Sequence, residues 1–370
     1  MKILHCITSL DKGGAETHLK DLVIAQKRSK DEILVVYSKG NSYWSKYIRK
    51  NGIKTIKLNK NKSTNLILII VNIIREIIYL RKILKNYKPH ILHAHLPKME
   101  IYCWFASLNL NLKLIVTKHL DNFFFDKLKK DKNIILKTLS YLFYIRFSKV
   151  IAISQSVKSY LIKNNFLNEK KISVIYYGYN FGNNRLKKNK IFTIGCASRL
   201  VPQKSLDILI NSFAIFNKNF KHSSQLIIAG IGEEKYKLKK LAKELKITKK
   251  VKFLGFIKNI DNFYKKLNIF CLTSKFEGLG LVLLEALNNK VPIVTFNKSA
   301  MKEIIKNKVN GFLVNEIYND NQQYKEFSKK FLYIYKNKFI PKTTDNFLKK
   351  FSYKNMIVKT KKVYVESLRQ

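Results

Sequence analysis

The chain has 370 residues, of which 46% are apolar and 26% charged, a folded-protein composition that excludes general disorder. Its length suffices for two domains, each burying its own core. A net charge of +48, spread along the chain but with 28 Lys/Arg against 6 Asp/Glu between residues 51 and 200, attracts anionic lipid, nucleic acid or glycan.

Met1 to Ile7 enters a strand directly, without the long apolar stretch and small-residue cleavage site of a signal peptide. The expected location is the cytoplasm, with the basic first half facing the inner side of the plasma membrane. Buried strands are predicted at Ile3–Ile7, Ile33–Tyr37, Thr55–Leu58, Ile91–Ala94, Leu114–Thr117, Val150–Ile153 and Ile172–Tyr176, with helices between most of them. Leu66 to Leu84 is almost wholly Ile and Leu. Asn72, Arg75, Glu76 and Arg81 interrupt it, and Asn72, Arg75, Glu76 and Tyr79 fall at helical spacing, so it reads as a core helix with a thin polar stripe rather than a membrane span.

A second series follows at Phe192–Ala197, Gln225–Ala229, Val251–Leu254, Ile269–Thr273, Ile293–Thr295 and Phe312–Val314. Apolar strands alternating with helices predict an α/β architecture of two doubly wound, Rossmann-like domains with parallel sheets. The expected boundaries are 1–180 for the first domain, 181–190 for a linker and 191–350 for the second. A C-terminal helix over 351–368 is expected to pack back on the first domain. Cys6, Cys103, Cys196 and Cys271 lie far apart, without C-x-x-C spacing, and read as reduced core residues. Ligand is expected in the cleft between the domains, outside the carboxyl ends of the strands.

Five places carry candidate chemistry. Gly13-Gly14, between the first strand and its helix, permits positive φ and close backbone approach to an anion; an ordinary turn fits it as well. His93 and His95 follow one strand and His119 another, which makes them candidate bases; a metal lacks an apparent third ligand. Arg199 and Lys204 follow Phe192–Ala197, where a fork and a point charge suit a diphosphate. Gly230 and Gly232 follow Gln225–Ala229, and with Leu254-Gly255-Phe256 they fit either a base and ribose site or tight turns. Finally, Phe276-Glu277-Gly278-Leu279-Gly280-Leu281-Val282-Leu283-Leu284-Glu285-Ala286 opens as a glycine loop and closes as a helix, with a carboxylate at each end. If the span is mostly helical, Glu277 and Glu285 stand up to about 12 Å apart, too far to act on one bond and suited to gripping one long ligand.

Together these motifs resemble the retaining glycosyltransferases of the GT-B fold, the group 1 or family 4 assemblage. The resemblance runs over nearly the whole chain and is strongest from Gly195 to Val314. The resemblance implies that Glu277 contacts donor-sugar hydroxyls, Glu285 the ribose, and the backbone of Gly278, Leu279 and Gly280 the sugar and phosphates. It places Arg199 and Lys204 on the diphosphate leaving group, Gly230, Gly232 and Phe256 by the nucleoside, Gly13 and Gly14 on the opposite side, and His119 near the transferred sugar. His119, Glu277, Arg199 and Lys204 are the catalytic candidates. No metal or cofactor is implied; a UDP- or GDP-sugar is the donor substrate, and the acceptor is a lipid-linked or cell-surface glycan of lipopolysaccharide, O-antigen or capsule type. Two departures stand out: Tyr177-Gly178-Tyr179-Asn180 replaces the family's Asn-Gly-[Ile/Val]-Asp, and Lys204-Ser205 replaces Lys-Gly. The rival readings are a GT-B-type nucleotide-sugar epimerase and, more remotely, a basic nucleic-acid-binding protein, which lacks RNP, helix-turn-helix or zinc signatures.

Overall fold

The computed structural model describes residues 1–40, 42–58, 65–119, 134–165, 167–182 and 191–369. Residues 183–190 of the expected linker lie outside them. The chain divides into two compact units, one formed by Met1–Gly178 with Phe351–Gln370, the other by Tyr179–Lys350.

In the first unit the elements run β1 (Lys2–Ser9), α1 (Gly14–Arg28), β2 (Glu32–Lys39), α2 (Tyr43–Lys50), β3 (Lys54–Lys57), α3 (Leu66–Tyr87), β4 (Ile91–His95), α4 (Pro97–Ala106), β5 (Lys113–Lys118), α5 (Ile134–Ile145), β6 (Lys149–Ala152), α6 (Gln155–Asn165) and β7 (Ile172–Val174). The strands pair in parallel in the order β3-β2-β1-β4-β5-β6-β7. Their near-continuous Ile, Val and Leu runs suit a sheet covered on both faces. The order reverses between β1 and β4, and side chains after the carboxyl ends of those strands are where such sheets build sites.

The second unit runs β8 (Phe192–Ala197), α7 (Leu206–Asn219), β9 (Ser224–Ala229), α8 (Lys235–Glu244), β10 (Val251–Gly255), α9 (Ile260–Tyr264), β11 (Ile269–Leu272), α10 (Leu281–Asn288), β12 (Ile293–Phe296), α11 (Met301–Ile304), β13 (Gly311–Val314), α12 (Asp320–Lys336) and α13 (Asp345–Lys350). Its parallel order is β10-β9-β8-β11-β12-β13, which reverses between β8 and β11. The last helix, α14 (Tyr353–Arg369), belongs to the first unit, where Met356, Val363 and Tyr364 join Ile3, Leu22 and Ile91 in one apolar core. All four cysteines are buried and free. Burial raises the thiol pKa of Cys103, Cys196 and Cys271, which keeps them protonated and unreactive.

α3 corrects the expectation of a core helix. Its apolar face is exposed: Leu66 and Ile67 are each 71% accessible and Ile78 62%, with Leu68, Ile70 and Ile74 also exposed. Of the polar interruptions only Glu76 turns inward, together with Leu80, Ile83 and Leu84, while Arg75 and Tyr79 are exposed. Glu76 is buried, accepting from Ser38 Oγ at 2.7 Å and pairing with Lys98 Nζ at 3.0 Å. A carboxylate already paired and hydrogen-bonded is held inside more readily than the sequence pattern implies. Among the described residues, no helix is long and apolar enough to cross a membrane.

Candidate active site

The reversal between β8 and β11 brings two loops together in the second unit. The first leaves β8 through Ser198 and Arg199, makes one 3-10 turn at Pro202–Lys204 and enters α7. The second leaves β11 through Thr273 and Ser274 and enters α10. They are tied by Thr273 Oγ1, which donates to the carbonyls of Lys204 at 3.0 Å and Ser205 at 2.8 Å. The consequence is an ion pair, Lys204 Nζ to Glu277 Oε1 at 2.6 Å, with both side chains largely buried. Ser274 Oγ donates to the same oxygen at 2.6 Å. Ser299 clamps the Glu277 backbone, donating from Oγ to its carbonyl at 2.6 Å and accepting from its N–H at 3.2 Å. Glu277 Oε2 takes no hydrogen bond among the described residues and remains an open acceptor.

Two sequence candidates are thus joined and a third stands apart. Arg199 is exposed, and no side-chain hydrogen bond or ion pair joins it to Lys204 or Glu277 among the described residues. Ser205 explains one departure from the family pattern: it occupies the left-handed region at φ 43°, which glycine enters without strain. Gly280 takes φ 86° at the N-cap of α10, so only the steps from Leu281 onward are helical. The separation expected for a mostly helical Glu277–Glu285 span does not follow. Gly278 and Leu279 are buried in the bend before it.

Glu285 lies on α10, where Tyr264 donates to its Oε2 at 2.8 Å. Burial raises its pKa, the tyrosine hydrogen bond opposes the shift, and Asp261 adds to it. Gly230 and Gly232 dock their loop on the loop after β8. A Cβ at Gly230, which has φ 142°, would overlap the Ser198 carbonyl, and one at Gly232 would overlap Leu200. Gly230 N–H donates to Gly255 O at 2.7 Å, which brings the two glycine segments together as the sequence suggested, with Phe256 exposed beside them.

In the first unit, Gly13 and Gly14 stand at the start of α1, but neither takes positive φ: Gly13 is extended at the N-cap, φ −156°. Neither glycine is needed there for its backbone freedom, and the turn leaves a helix start with no side-chain cap. The histidines are gathered more closely than their spacing predicts. His5 and His93 are register partners on β1 and β4, and strand alternation puts His95 on the same face, with Thr117 and His119 beside it. His5 Nδ1 meets His95 Nε2 at 3.2 Å, and His95 Nδ1 meets His119 Nε2 at 3.1 Å. His119 Nδ1 is hydrogen-bonded to the Tyr177 hydroxyl. At the other end, His5 Nε2 meets Gln26 Oε1 at 2.8 Å, and Gln26 Nε2 donates to Tyr364 at 3.2 Å. The Tyr364 hydroxyl meets His93 Nδ1 at 2.6 Å, and His93 Nε2 meets Thr117 at 2.7 Å. His18 stacks on Tyr177 with centroids 4.2 Å apart, and its buried Nδ1 has no partner among the described residues.

Candidate ligand atoms of His5, His93 and His95 lie within 4.8 Å of one another, which supplies the third histidine that the His-x-His spacing lacked. Every one of their ring nitrogens already has a hydrogen-bond partner, so a cation there would have to break this chain. Desolvation lowers all five histidine pKa values, His5 to about 4 and His18 to about 3. Sequence reasoning passed over His5, His18, Gln26, Tyr264, Ser274, Ser299 and Tyr364. The seam tyrosine was the one visible signal, since Tyr177 departs from the family pattern.

Two doubly wound units, each with loops assembled at a sheet reversal, define the architecture of a GT-B glycosyltransferase. The model of Glycosyltransferase Family 4 matches residues 12–182 and that of Glycosyl transferases group 1 matches residues 180–353. The chain belongs to this glycosyltransferase family. An uncharacterized glycosyltransferase of Haemophilus influenzae is 38% identical over 122 residues, 33% of this chain and 34% of its own length, so the match spans about a third of either protein. The Campylobacter jejuni enzyme "GalNAc-alpha-(1->4)-GalNAc-alpha-(1->3)-diNAcBac-PP-undecaprenol alpha-1,4-N-acetyl-D-galactosaminyltransferase" is 28% identical over 315 residues, covering 85% of this chain and 84% of its own. Anabaena HepE, solved with UDP and glucose, superposes with a TM-score of 0.75 at 19% identity, covering 99% of this chain and 100% of its own, a likeness of fold.

Proposed function

We propose that the protein transfers a sugar, with retention and without a metal, from a nucleoside-diphosphate-sugar to a hydroxyl of a lipid-linked or cell-surface glycan. The observation that carries this is the Lys204–Glu277 pair at the reversal of the second sheet. Breaking the anomeric C–O bond leaves a nucleoside diphosphate and an oxocarbenium-like sugar, so the main electrostatic task is to stabilise the departing phosphate. Lys204 supplies positive charge there, Arg199 adds an exposed guanidinium, and the uncapped start of α10 adds its free N–H groups. Glu277, with Oε1 held by Lys204 and Ser274, turns Oε2 to the sugar hydroxyls, and Glu285 serves the ribose. The family resemblance supports a further role for His119 of the first unit as a contact to the transferred sugar.

A uridine diphosphate donor is favoured by the likeness to a protein solved with UDP and glucose, and a lipid-linked acceptor by the undecaprenol-linked substrate named for the Campylobacter relative. The exposed apolar face of α3 supports peripheral contact with an anionic membrane. Leu66, Ile67, Ile70, Ile74 and Ile78 present an aliphatic surface on a helix that also carries Arg75, Arg81, Lys82 and Lys85. That surface is what supports the proposed contact with the inner face of the plasma membrane.

The test is a thermal-shift screen against UDP-, GDP- and ADP-sugars, followed by product analysis with and without a polyprenyl-diphosphate glycan acceptor. A donor that stabilises the protein and yields an α-linked product in EDTA supports the reading. Isomerised donor without any acceptor identifies an epimerase, and complete loss in EDTA overturns metal independence.

A further inference from the structure

The hydrogen bonds of the first unit's histidines form one continuous path, and their donors all point one way. Gln26 sets the direction, because its amide oxygen accepts from His5 and its amide nitrogen donates to Tyr364. His5 therefore carries its proton on Nε2 and accepts at Nδ1; the same rule passes to His95 and then to His119. At the end of this arm the Tyr177 hydroxyl donates to His119 Nδ1. Reversing the path would require the Gln26 amide to turn over and every ring to change tautomer together. Such a path polarises each of its bonds in a low-dielectric surrounding. It also crosses the unit: Gln26 sits on α1, the helix that starts at Gly13-Gly14, and Tyr364 on α14.

We propose that Gln26, His5 and His95 are positioning residues that act through His119, holding its ring neutral with the proton on Nε2 and leaving Nδ1 only able to accept. The group that engages His119 in place of the Tyr177 hydroxyl must then be a donor, a sugar hydroxyl or N–H, and not a carboxylate. This rests on the reading of His119 as a donor-sugar contact, so the experiment separates the two.

Ring-¹⁵N NMR of the histidine-labelled full chain reads each tautomer without any substrate. The expected result is Nε2–H at His5, His95 and His119; Nδ1–H at His119 overturns the proposal whether or not the protein transfers sugar. Gln26→Leu leaves the buried His5 Nε2–H without an acceptor, and kcat/KM is expected to fall about tenfold while UDP affinity, measured by calorimetry, is unchanged. Gln26→Glu restores an acceptor and is expected to recover most of the loss. With both variants folded by circular dichroism, an unaltered kcat/KM in Gln26→Leu, or an equal loss in both, refutes the positioning role.

Discussion

The histidine core makes the first unit acid-labile, and the size of the effect follows from counting protons. His5, His18, His93, His95 and His119 are buried, and desolvation drives each below the ordinary 6.5. Folded, all five stay neutral; unfolded, all five bind a proton as pH falls through 6.5. The unfolded chain thus holds more protons, so stability is complete above about pH 7.5 and declines as pH drops, with the folded rings of His5 and His18 themselves titrating only at about 4 and about 3. Between pH 7.5 and 5.5 each group costs on the order of 1 kcal/mol, and the five together several kcal/mol. That is comparable to the roughly 5–15 kcal/mol that holds an ordinary domain together. The chain's two tryptophans, Trp44 and Trp104, both lie in the first unit, so intrinsic fluorescence reports on it alone. Urea unfolding at half-unit pH steps should give a slope rising toward five protons. His18→Phe, which keeps a ring over Tyr177, should remove one of the five. A slope of one proton or less between pH 5.5 and 6.5 refutes the reasoning.

Three further outcomes are expected. Ser205→Gly relieves a left-handed backbone at φ 43° and should raise the stability of the second unit by about 1 kcal/mol, read as a higher urea midpoint; a lower one contradicts the strain argument. Lys204→Ala removes the ammonium paired with Glu277 and should lower kcat by about 10² or more, the effect of losing one oxyanion donor; normal turnover would dismiss its role at the phosphate. Ile70→Glu with Ile74→Glu places two carboxylates on the exposed face of α3 and should abolish co-sedimentation with anionic liposomes without lowering the melting temperature, whereas unchanged binding would assign that contact to another surface.

The strands, their parallel pairing and the loops that follow β8 and β11 were legible in the sequence because each rests on local chemistry. Apolar runs bounded by glycines and polar turns pick out strands whatever surrounds them. That Lys204 and Glu277 stand in loops after strand ends was legible for the same reason. α3 was misread because periodicity records which residues share a face, and not which face meets the core. Only packing decided that Glu76 turns toward Ser38 and Lys98 while Ile70, Ile74 and Ile78 meet solvent.

By itself, then, the sequence determined two doubly wound units and the residue types at their strand ends. The tertiary structure alone decided the pairings: Lys204 with Glu277 across 73 residues, and His93 with Tyr364 across 271. Side-chain hydrogen bonds between segments so far apart have no periodicity to betray them. They exist because a parallel sheet sets distant strands side by side in register, and because a returning C-terminal helix supplies the hydroxyl that a buried histidine needs.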